Sequence, residues 1–158
     1  MNNVVNVDMY LRHVINIKKL DPKAKIPERG SKCAAGYDLY AVLGDSRLTI
    51  PPHGTVKIHT GIAVEIPDGY FGAIFARSGL ATKRGLRPAN CVGCIDSDYR
   101  GEVIVALHND ADTPKSIEDG ERVAQLVVMP FVECHFVEVD ELDDTDRGEG
   151  GFGHTGRK

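Results

Sequence analysis

The chain has 158 residues, a length typical of one domain with a single core. Hydrophobic residues make up 42% and charged residues 27%, which is the composition of a globular protein and excludes a disordered chain. Lys and Arg number 19 against 23 Asp and Glu, so the formal net charge is -4, which argues against a general nucleic-acid coat or a polybasic membrane binder.

The beginning of the chain shows no targeting pattern. Residues 1–10 alternate polar and apolar side chains and lack the basic start and apolar stretch of a secretory signal. The apolar run at residues 126–132 falls far short of the roughly 18 residues that span a bilayer. We therefore expect a cytoplasmic or otherwise intracellular protein, with no membrane association and no stable nucleic-acid binding.

Short strand signals follow one another along most of the chain. Apolar residues recur at every second position, or form short runs bounded by Gly, Pro, Asn and Asp. A Pro-Asp-Gly turn signal stands at residues 67–69, where proline presets φ and glycine accepts the left-handed conformation. Strands are predicted at residues 14–17, 56–60, 62–66, from near Tyr70, at 73–75, 103–107, 123–129 and 131–139. This pattern predicts an all-β sandwich, jelly roll or barrel.

One short helix interrupts the strands. Residues 78–83 contain good helix formers, and Ser78 is a plausible cap. A parallel βαβ unit needs a longer crossover helix, so dinucleotide-binding folds are set aside. After the acidic residues 140–146, residues 147–158 contain five glycines, which predicts a mobile arm unless something binds it.

Four cysteines are expected to be reduced, because no secretory signal is present; they are Cys33, Cys91, Cys94 and Cys134. Cys91 and Cys94 have the spacing of a zinc knuckle or a redox pair. No second C-x-x-C or nearby C-x-x-H completes a tetrahedral zinc set. A thioredoxin-type pair lies at a helix start, whereas the residues around Cys94 predict a strand and a turn. We interpret the pair as a coincidence in an apolar segment, with a metal or redox role as the alternative.

Three segments combine glycine with a charge between apolar strands, and the first two are short. In residues 35–39 the carboxylate of Asp38 interrupts a strand-like run, which fits either a site or an ordinary turn. At Arg77, Ser78 and Gly79 a guanidinium, a hydroxyl and helix N-terminal amides can converge on phosphate oxygens. A helix cap with an exposed arginine explains the second segment equally well.

The richest segment is residues 90–102. Asp96 follows an apolar stretch, so we expect it to be partly desolvated and able to act as a general base for water. Asp98 lies two residues further on, but a glycosidase pair is disfavoured because this spacing does not span a scissile bond. An ordinary acidic turn is the alternative. In the arm, Arg147 and Thr155 can bind phosphate, and Phe152 can stack on a base.

Five motifs occur in a fixed order: residues 35–39, 72–80, 93–101, 119–126 (Asp-Gly-Glu-Arg-Val-Ala-Gln-Leu) and 147–156 (Arg-Gly-Glu-Gly-Gly-Phe-Gly-His-Thr-Gly). Together they resemble the homotrimeric deoxyuridine triphosphatase (dUTPase) family, from about Ile17 to Gly156. The resemblance implies a β jelly-roll domain at residues 1–146, of barrel or sandwich type. It also implies that residues 147–158 are a flexible arm that closes over the active site.

The resemblance further implies that the chain hydrolyses dUTP to dUMP and pyrophosphate with Mg2+. Such an enzyme limits uracil incorporation into DNA and supplies dUMP for thymidylate synthesis. It implies a homotrimer in which each active site is built from several subunits. dCTP deaminase, which shares the fold, and a regulatory binding protein are the alternatives.

Residue roles are implied by position in the motifs. Asp96 resembles the base that activates the attacking water, Asp38 the carboxylate that holds Mg2+ through water, and Tyr99 the ring that packs under deoxyribose. The other implied substrate-binding residues are Arg77, Ser78, Gly79 and Gln125 for the phosphates; Asn90, Gly93, Cys94 and Ile95 for uracil; Ile104 as a further lining position; and Arg147, Phe152 and Thr155 in the arm.

Three residues depart from the family pattern. Ala76 stands where the family usually has proline, which predicts a slightly more mobile loop. Cys94 replaces an aliphatic residue, so oxidation with Cys91 is expected to distort the uracil hairpin. His154 replaces a serine, and its imidazole can still donate to a phosphate.

Overall fold

The computed structural model describes residues 14–151. Twelve strands and one short helix follow one another there: β1 (Asn16–Lys19), β2 (Glu28–Arg29), β3 (Tyr37–Tyr40), β4 (Arg47–Ile50), β5 (Thr55–His59), β6 (Ile62–Glu65), β7 (Tyr70–Phe75), α1 (Ser78–Arg84), β8 (Leu86–Pro88), β9 (Gly93–Ile95), β10 (Ile104–Asn109), β11 (Lys115–Glu118) and β12 (Arg122–Pro130). The β-rich organisation predicted from the sequence is confirmed. No helix within these residues is both long and apolar enough to cross a membrane.

The strands pair in an antiparallel manner. The largest sheet has the order β2-β3-β12-β7-β9, a second has β5-β10-β8, and two pairs are formed by β1 with β6 and β4 with β11. The long β12 lies between β3 and β7. As a result, β3 and β9 lie on opposite sides of β12, which matters for the site.

The core follows from the two-residue period of the strands. In β5, Val56 and Ile58 turn inward while Lys57 and His59 are exposed, and Ile58 is fully buried. The largest fully buried apolar side chains in the described residues include Leu39, Ile50, Ile58, Leu86, Leu107 and Ile117. Each side chain of this size contributes about 1.5–3 kcal/mol when it leaves water.

The predicted helix is confirmed, although its cap is different. The helix α1 begins at Ser78, and Arg77, with extended backbone angles, is its N-cap without a capping side-chain hydrogen bond. Ser78 is therefore the first helical residue, and its prediction as the cap is wrong. Gly85 ends the helix in the left-handed conformation, with φ of 67°, and its N–H bonds back to Ala81 and Leu80.

The strand predicted at residues 131–139 is wrong. The amide of Phe131 still bonds to Gly69, but the residues beyond it form no strand within the described part of the chain. The five-stranded sheet ends at β2 and β9, and this segment pairs with neither of these edge strands. Its apolar side chains are consequently exposed: Val132 is 83% and Phe136 is 92% accessible.

Strands β2, β4, β8 and β11 were not predicted from the sequence. They are two to four residues long and mix charged with apolar residues, as in Arg47–Ile50 and Lys115–Glu118. A segment this short carries too few positions to show a period of two. Its strand conformation is set by the partner strand instead.

A buried asparagine connects three loops near the end of β10. Asn109 is fully buried, and its Oδ1 accepts the N–H of Ala111 at 3.0 Å. Its Nδ2 lies 2.9–3.1 Å from the carbonyl oxygens of Ile50, Pro51 and Thr113. The amide thus satisfies backbone groups that β-strands leave without a ladder partner.

Replacing Asn109 with alanine should lower the free energy of unfolding by about 2–4 kcal/mol, because buried carbonyls lose their donor and a small cavity forms. Urea unfolding of both proteins measures the change. The exposed neighbour Asp112 is the control, since Asp112→Ala should stay within about 0.5 kcal/mol of the wild type. An Asn109→Ala loss of the same small size would contradict this assignment.

Candidate functional site

Two separate depressions hold most of the predicted site residues. The first, the hairpin pocket, is formed by the turn before β9, by β9 itself, by the loop that follows and by β10. The predicted residues that line it are Asn90, Gly93, Cys94, Ile95, Asp96, Tyr99 and Ile104. The second, the arginine pocket, lies beside the start of α1, and the predicted residues that line it are Asp38, Arg77, Ser78, Gly79 and Gln125.

The hairpin pocket is shaped by the close pairing of β9 with β7. Gly93 lies opposite Ile74, and a Cβ on Gly93 would be 3.1 Å from Ile74 Cβ and 3.3 Å from Asn90 Nδ2. The turn before it places Cys91 at φ of 60°, a conformation that side chains rarely adopt. Glycine at position 93 therefore lets β9 pack closely against Ile74 and Asn90, which brings the backbone of the hairpin to the pocket wall.

Asp96 lies at the rim of the hairpin pocket, directly after β9. Its carbonyl accepts the N–H of Tyr99 at 3.2 Å, which closes a turn over residues 96–99. Its side chain is exposed in this chain, so the expected partial desolvation is wrong here. The apolar residues before Asp96 face the core, as Ile95 does at 8% exposure, whereas the carboxylate points away from it. An exposed carboxylate is free to contact a ligand or a water.

The thiol of Cys94 contacts this carboxylate. Cys94 Sγ lies 3.7 Å from Asp96 Oδ1, within the reach of a weak S–H donor. Partial burial, the negative charge of Asp96 and this hydrogen bond raise the pKa of the Cys94 thiol. All four cysteines are free, as expected for reduced thiols. Cys91 and Cys94 lie in a turn and a strand rather than at a helix start, as predicted.

The raised pKa of Cys94 predicts slow alkylation. The rate of its reaction with iodoacetamide should reach half its maximum at a pH above the value of about 8.5 that is typical of a free thiol. Asp96→Asn should move that midpoint to lower pH, because the neighbouring negative charge is removed, whereas Asp98→Asn should not. Peptide mass spectrometry across the pH range measures the rate. A midpoint equal to that of glutathione would contradict the contact.

Tyr99 closes one side of the hairpin pocket. Its ring lies against Gly101, where a Cβ would be 2.4 Å from the tyrosine Oη. The hydroxyl donates to the carbonyl of Glu102 at 3.0 Å. Glycine at position 101 is therefore required for the ring to fold back on its own loop.

The arginine pocket is organised around a nearly buried carboxylate. Asp38 is 8% exposed, and its Oδ1 accepts Arg77 Nε at 2.8 Å while its Oδ2 accepts Arg122 Nη1 at 3.0 Å. The three side chains carry a net charge of about +1, because two guanidinium groups face one carboxylate. Both arginines keep further N–H donors at the pocket surface, so the cluster is suited to an anion such as phosphate.

Gln125 fixes the loop that leads from β7 into α1. Its Nε2 donates to the carbonyl of Ala76 at 2.9 Å. Across the pocket, a Cβ on Gly36 would lie 2.6 Å from Gln125 Oε1, so this close approach requires glycine. Gln125 therefore positions the residue before Arg77 although Ala76 lacks the fixed φ of a proline.

Sequence reasoning missed two arginines in this pocket. Arg122 shares Asp38 with Arg77, and Arg84 is held by Glu121 and by the carbonyl of Ser116. Arg122 and Glu121 belong to the motif at residues 119–126. Two charged residues directly before the apolar run from Val123 were the feature of the sequence that could have indicated these site residues.

One chain does not bring the two pockets together. No residue that lines the hairpin pocket also lines the arginine pocket among the described residues. Asp38 on β3 and the end of β9 are separated by β12 and β7, and three inter-strand spacings of about 4.8 Å place them roughly 14 Å apart across the sheet. Asp96 thus lies apart from the arginines of its own chain.

Of the predicted arm residues, Arg147 lies within the described part of the chain, and it lines neither pocket. Arg147 lies in a turn in which its Nε donates to the carbonyl of Gly150 at 2.8 Å. Phe152 and Thr155, like His154, lie outside the described residues.

Magnesium fits this site only through an indirect contact. Among residues 14–151 there is no group of three or more His, Cys, Asp or Glu side chains that could hold a metal ion. Both oxygens of Asp38 accept a guanidinium N–H, yet each carboxylate oxygen has a second lone pair. Asp38 is thus suited to accept a hydrogen bond from a metal-bound water, while most of the coordination must come from elsewhere.

Comparison with known proteins decides the family. The dUTPase family model matches residues 22–156 of this chain. The chain belongs to the dUTPase family. The deoxyuridine 5'-triphosphate nucleotidohydrolase of Desulfitobacterium hafniense DCB-2 is 52% identical over 137 residues, which cover 86% of this chain and 90% of that protein.

Solved structures of dUTPases share the fold. The Staphylococcus bacteriophage 80alpha dUTPase with dUPNHPP has a TM-score of 0.82 at 31% identity and covers 92% of this chain and 99% of its own. A mutant dUTPase from phage phi11 of S. aureus, described with a structural Mg(II) ion, has a TM-score of 0.72 at 27% identity, with 82% and 98% covered. The predicted family and the predicted jelly-roll type of fold are confirmed.

Proposed function

We propose that this member of the dUTPase family hydrolyses dUTP to dUMP and pyrophosphate with Mg2+. The observation that carries the proposal is the pair of half-sites: a hairpin pocket with an exposed carboxylate, and an arginine pocket suited to a polyphosphate. The motifs that supply both half-sites lie within the residues that the dUTPase family model matches.

Asp96 is the general base in this proposal. Its exposed carboxylate accepts a proton from water, and the resulting hydroxide attacks the α-phosphorus while pyrophosphate leaves. The turn that closes with the N–H of Tyr99 fixes the direction of the side chain. No covalent intermediate is needed, because phosphoryl transfer depends mainly on positioning and on charge stabilisation.

The phosphate chain is assigned to the arginine pocket. Arg77 and the first residues of α1, Ser78 and Gly79, bind phosphate oxygens, and Gln125 supports them through Ala76. The chemistry that a bound Mg2+ would supply here is neutralisation of the phosphate charge. Asp38 would hold a water of that ion, and it keeps Arg77 in place.

Uracil and deoxyribose are assigned to the hairpin pocket. Asn90 and the backbone of Gly93, Cys94 and Ile95 pair with the polar edge of uracil, so cytosine would leave buried partners unsatisfied. Tyr99 packs under deoxyribose and leaves no room for a 2'-hydroxyl. Ile104, at the start of β10, lines the same pocket.

The C-terminal arm closes the site over the bound nucleotide. We assign residues 1–146 to the β domain and residues 147–158 to the arm. In the closed state Phe152 stacks on uracil, and Arg147 and Thr155 contact the γ-phosphate. The contact of Arg147 with the carbonyl of Gly150 is local, so closure needs no buried bond to break.

A homotrimer with shared active sites explains two features of the chain. The arginine pocket and the hairpin pocket are separate in one chain, so a second copy is needed to join them. The segment 131–142 also exposes apolar side chains without a strand partner; they include Phe131, Val132, Phe136, Val137, Val139 and Leu142. Burial against neighbouring copies removes this surface from water.

In the cell, such an enzyme limits uracil incorporation into DNA and supplies dUMP for thymidylate synthesis. We expect it to act in the cytoplasm as a free enzyme, with dUTP as its partner and without stable contacts to nucleic acid or membranes.

Product analysis tests the proposed function. The purified chain with Mg2+ is incubated separately with dUTP, dCTP, dTTP and UTP, and nucleotides, pyrophosphate and ammonia are measured. We expect dUMP and pyrophosphate from dUTP at a rate far above the turnover of the other three nucleotides, and loss of the reaction when EDTA removes Mg2+. Ammonia from dCTP would indicate a deaminase instead, and bound but intact dUTP would indicate a binding protein.

A further inference from the structure

We propose that Glu102 is a positioning residue that fixes the catalytic loop and thereby sets the preference for deoxyribose over ribose. The inference rests on the proposed function, because the loop in question, residues 96–103, carries Asp96 and Tyr99. Glu102 is not among the residues that the motifs assign to the substrate. Its side chain is 21% exposed and lines the hairpin pocket.

Both carboxylate oxygens of Glu102 bind the turn between β5 and β6. Oε1 accepts the N–H of Gly61 at 2.8 Å, and His59 Nδ1 lies 2.8 Å from Oε2. Gly61 is buried with φ of 66°, and a Cβ there would lie 2.9 Å from side-chain atoms of Asp21 and Ala24. Glycine is needed at this position, and the carbonyl of Gly61 accepts the N–H of Leu20 at 2.7 Å, so the turn is held on its far side as well and forms a firm support.

The backbone next to Glu102 is bound to the same support. Val103 donates its N–H to the carbonyl of Ile62 at 2.8 Å, and the hydroxyl of Thr60 donates to the carbonyl of Val103. Val103 is 2% exposed. The end of the loop is thus anchored by side-chain and main-chain contacts to one turn, residues 59–62.

Tyr99 connects Glu102 to the side chains proposed to act on the substrate. The tyrosine hydroxyl donates to the carbonyl of Glu102, and the tyrosine N–H closes the turn on Asp96. A displacement of Glu102 would therefore move the ring that excludes the 2'-hydroxyl and loosen the turn that directs the base. A misplacement of about 1 Å is enough to lower a rate by a large factor.

Three substitutions of Glu102 distinguish the effect of its side-chain length from the effect of its charge. Glu102→Ala removes both contacts, and Glu102→Asp keeps the charge but is one methylene too short to reach Gly61 and His59 together. Glu102→Gln keeps the reach, since its oxygen can accept from Gly61 and its amide can donate to His59 Nδ1. Ile117→Val, a core change in β11 outside both pockets, controls for a general loss of stability.

We measure kcat and KM with dUTP and UTP below the unfolding temperature of every variant. Glu102→Ala and Glu102→Asp should lower kcat/KM for dUTP about tenfold or more, through kcat as well as KM. They should also lower the ratio of kcat/KM for dUTP to that for UTP by about fivefold. Glu102→Gln should restore most of both, and Ile117→Val should leave both unchanged.

Hydrogen exchange supplies a second readout that does not depend on turnover. The amides of Gly61 and Tyr99 should exchange faster in Glu102→Ala than in the wild type, and not in Ile117→Val. An active wild type whose dUTP-to-UTP ratio and Tyr99 exchange are unchanged by Glu102→Ala would overturn the inference and leave the proposed function intact. A wild type that does not hydrolyse dUTP would overturn both.

Discussion

Asp96→Asn is expected to lower kcat for dUTP by about 10³-fold, because general-base catalysis typically contributes 10²–10⁴-fold. Asparagine has the same shape but cannot take the proton of the attacking water. The variant should still bind the nucleotide, since the hairpin and the arginines are unchanged. Steady-state kinetics gives the rate, and calorimetric titration with dUTP gives the affinity.

Asp98 provides a matched control for this variant. It lies two residues further along the same loop and is also exposed, so Asp98→Asn changes the local charge by the same amount. Its kcat should remain within about threefold of the wild type, because its carboxylate is not assigned to the reacting water. If the two variants lost activity equally, the loss would reflect loop charge and Asp96 would not be the base.

Arg77→Gln is expected to lower kcat/KM for dUTP by about 10²-fold or more, which corresponds to losing an interaction of a few kcal/mol with the phosphate chain. Arg77 stands directly before α1 and is held at 2.8 Å by Asp38, so its guanidinium is preorganised. Arg77→Lys should recover little, because lysine cannot keep the contact to Asp38 and present a planar fork together.

Arg47→Gln is the control for the loss of a surface arginine. Arg47 lies in β4, outside both pockets, with its Nη1 4.0 Å from Glu118. Its kinetics should match the wild type, and its stability should change by less than about 0.5 kcal/mol. If Arg77→Gln had the kinetics of the wild type, the proposal that the arginine pocket binds the phosphate chain would be wrong.

Much of the fold was predictable because long strands carry a visible period. Apolar Val56 and Ile58 alternate with polar Lys57 and His59, and this pattern predicted β5. The apolar run that starts at Val123 predicted β12. The short β4 and β11 were not predictable, since their conformation depends on a partner that is distant in sequence. The run from Phe131 to Val139 has the composition of a strand, but within the described residues it pairs with no strand of its own chain, and composition alone does not show whether a partner strand is present.

The sequence indicated many of the residues of the candidate site, but it did not show how these residues lie relative to one another. Glycine beside charge drew attention to Asp38, Arg77 and Asp96. The sequence could not show that Asp38 bridges Arg77 to Arg122, because 84 residues separate Asp38 from Arg122. It also could not show the separation of the two pockets, which depends on the strand order of the five-stranded sheet.

Co-expression of Asp96→Asn and Arg77→Gln chains tests the central claim most directly. Each variant alone should be nearly inactive. If one chain supplies the hairpin pocket and another the arginine pocket, mixed trimers contain sites in which both residues are intact, and random assembly restores about a quarter of the wild-type activity. Each mixed trimer contains one such site in three, so the purified mixed trimers should show about a third of the wild-type activity. A mixed trimer no more active than either variant would contradict a site shared between chains.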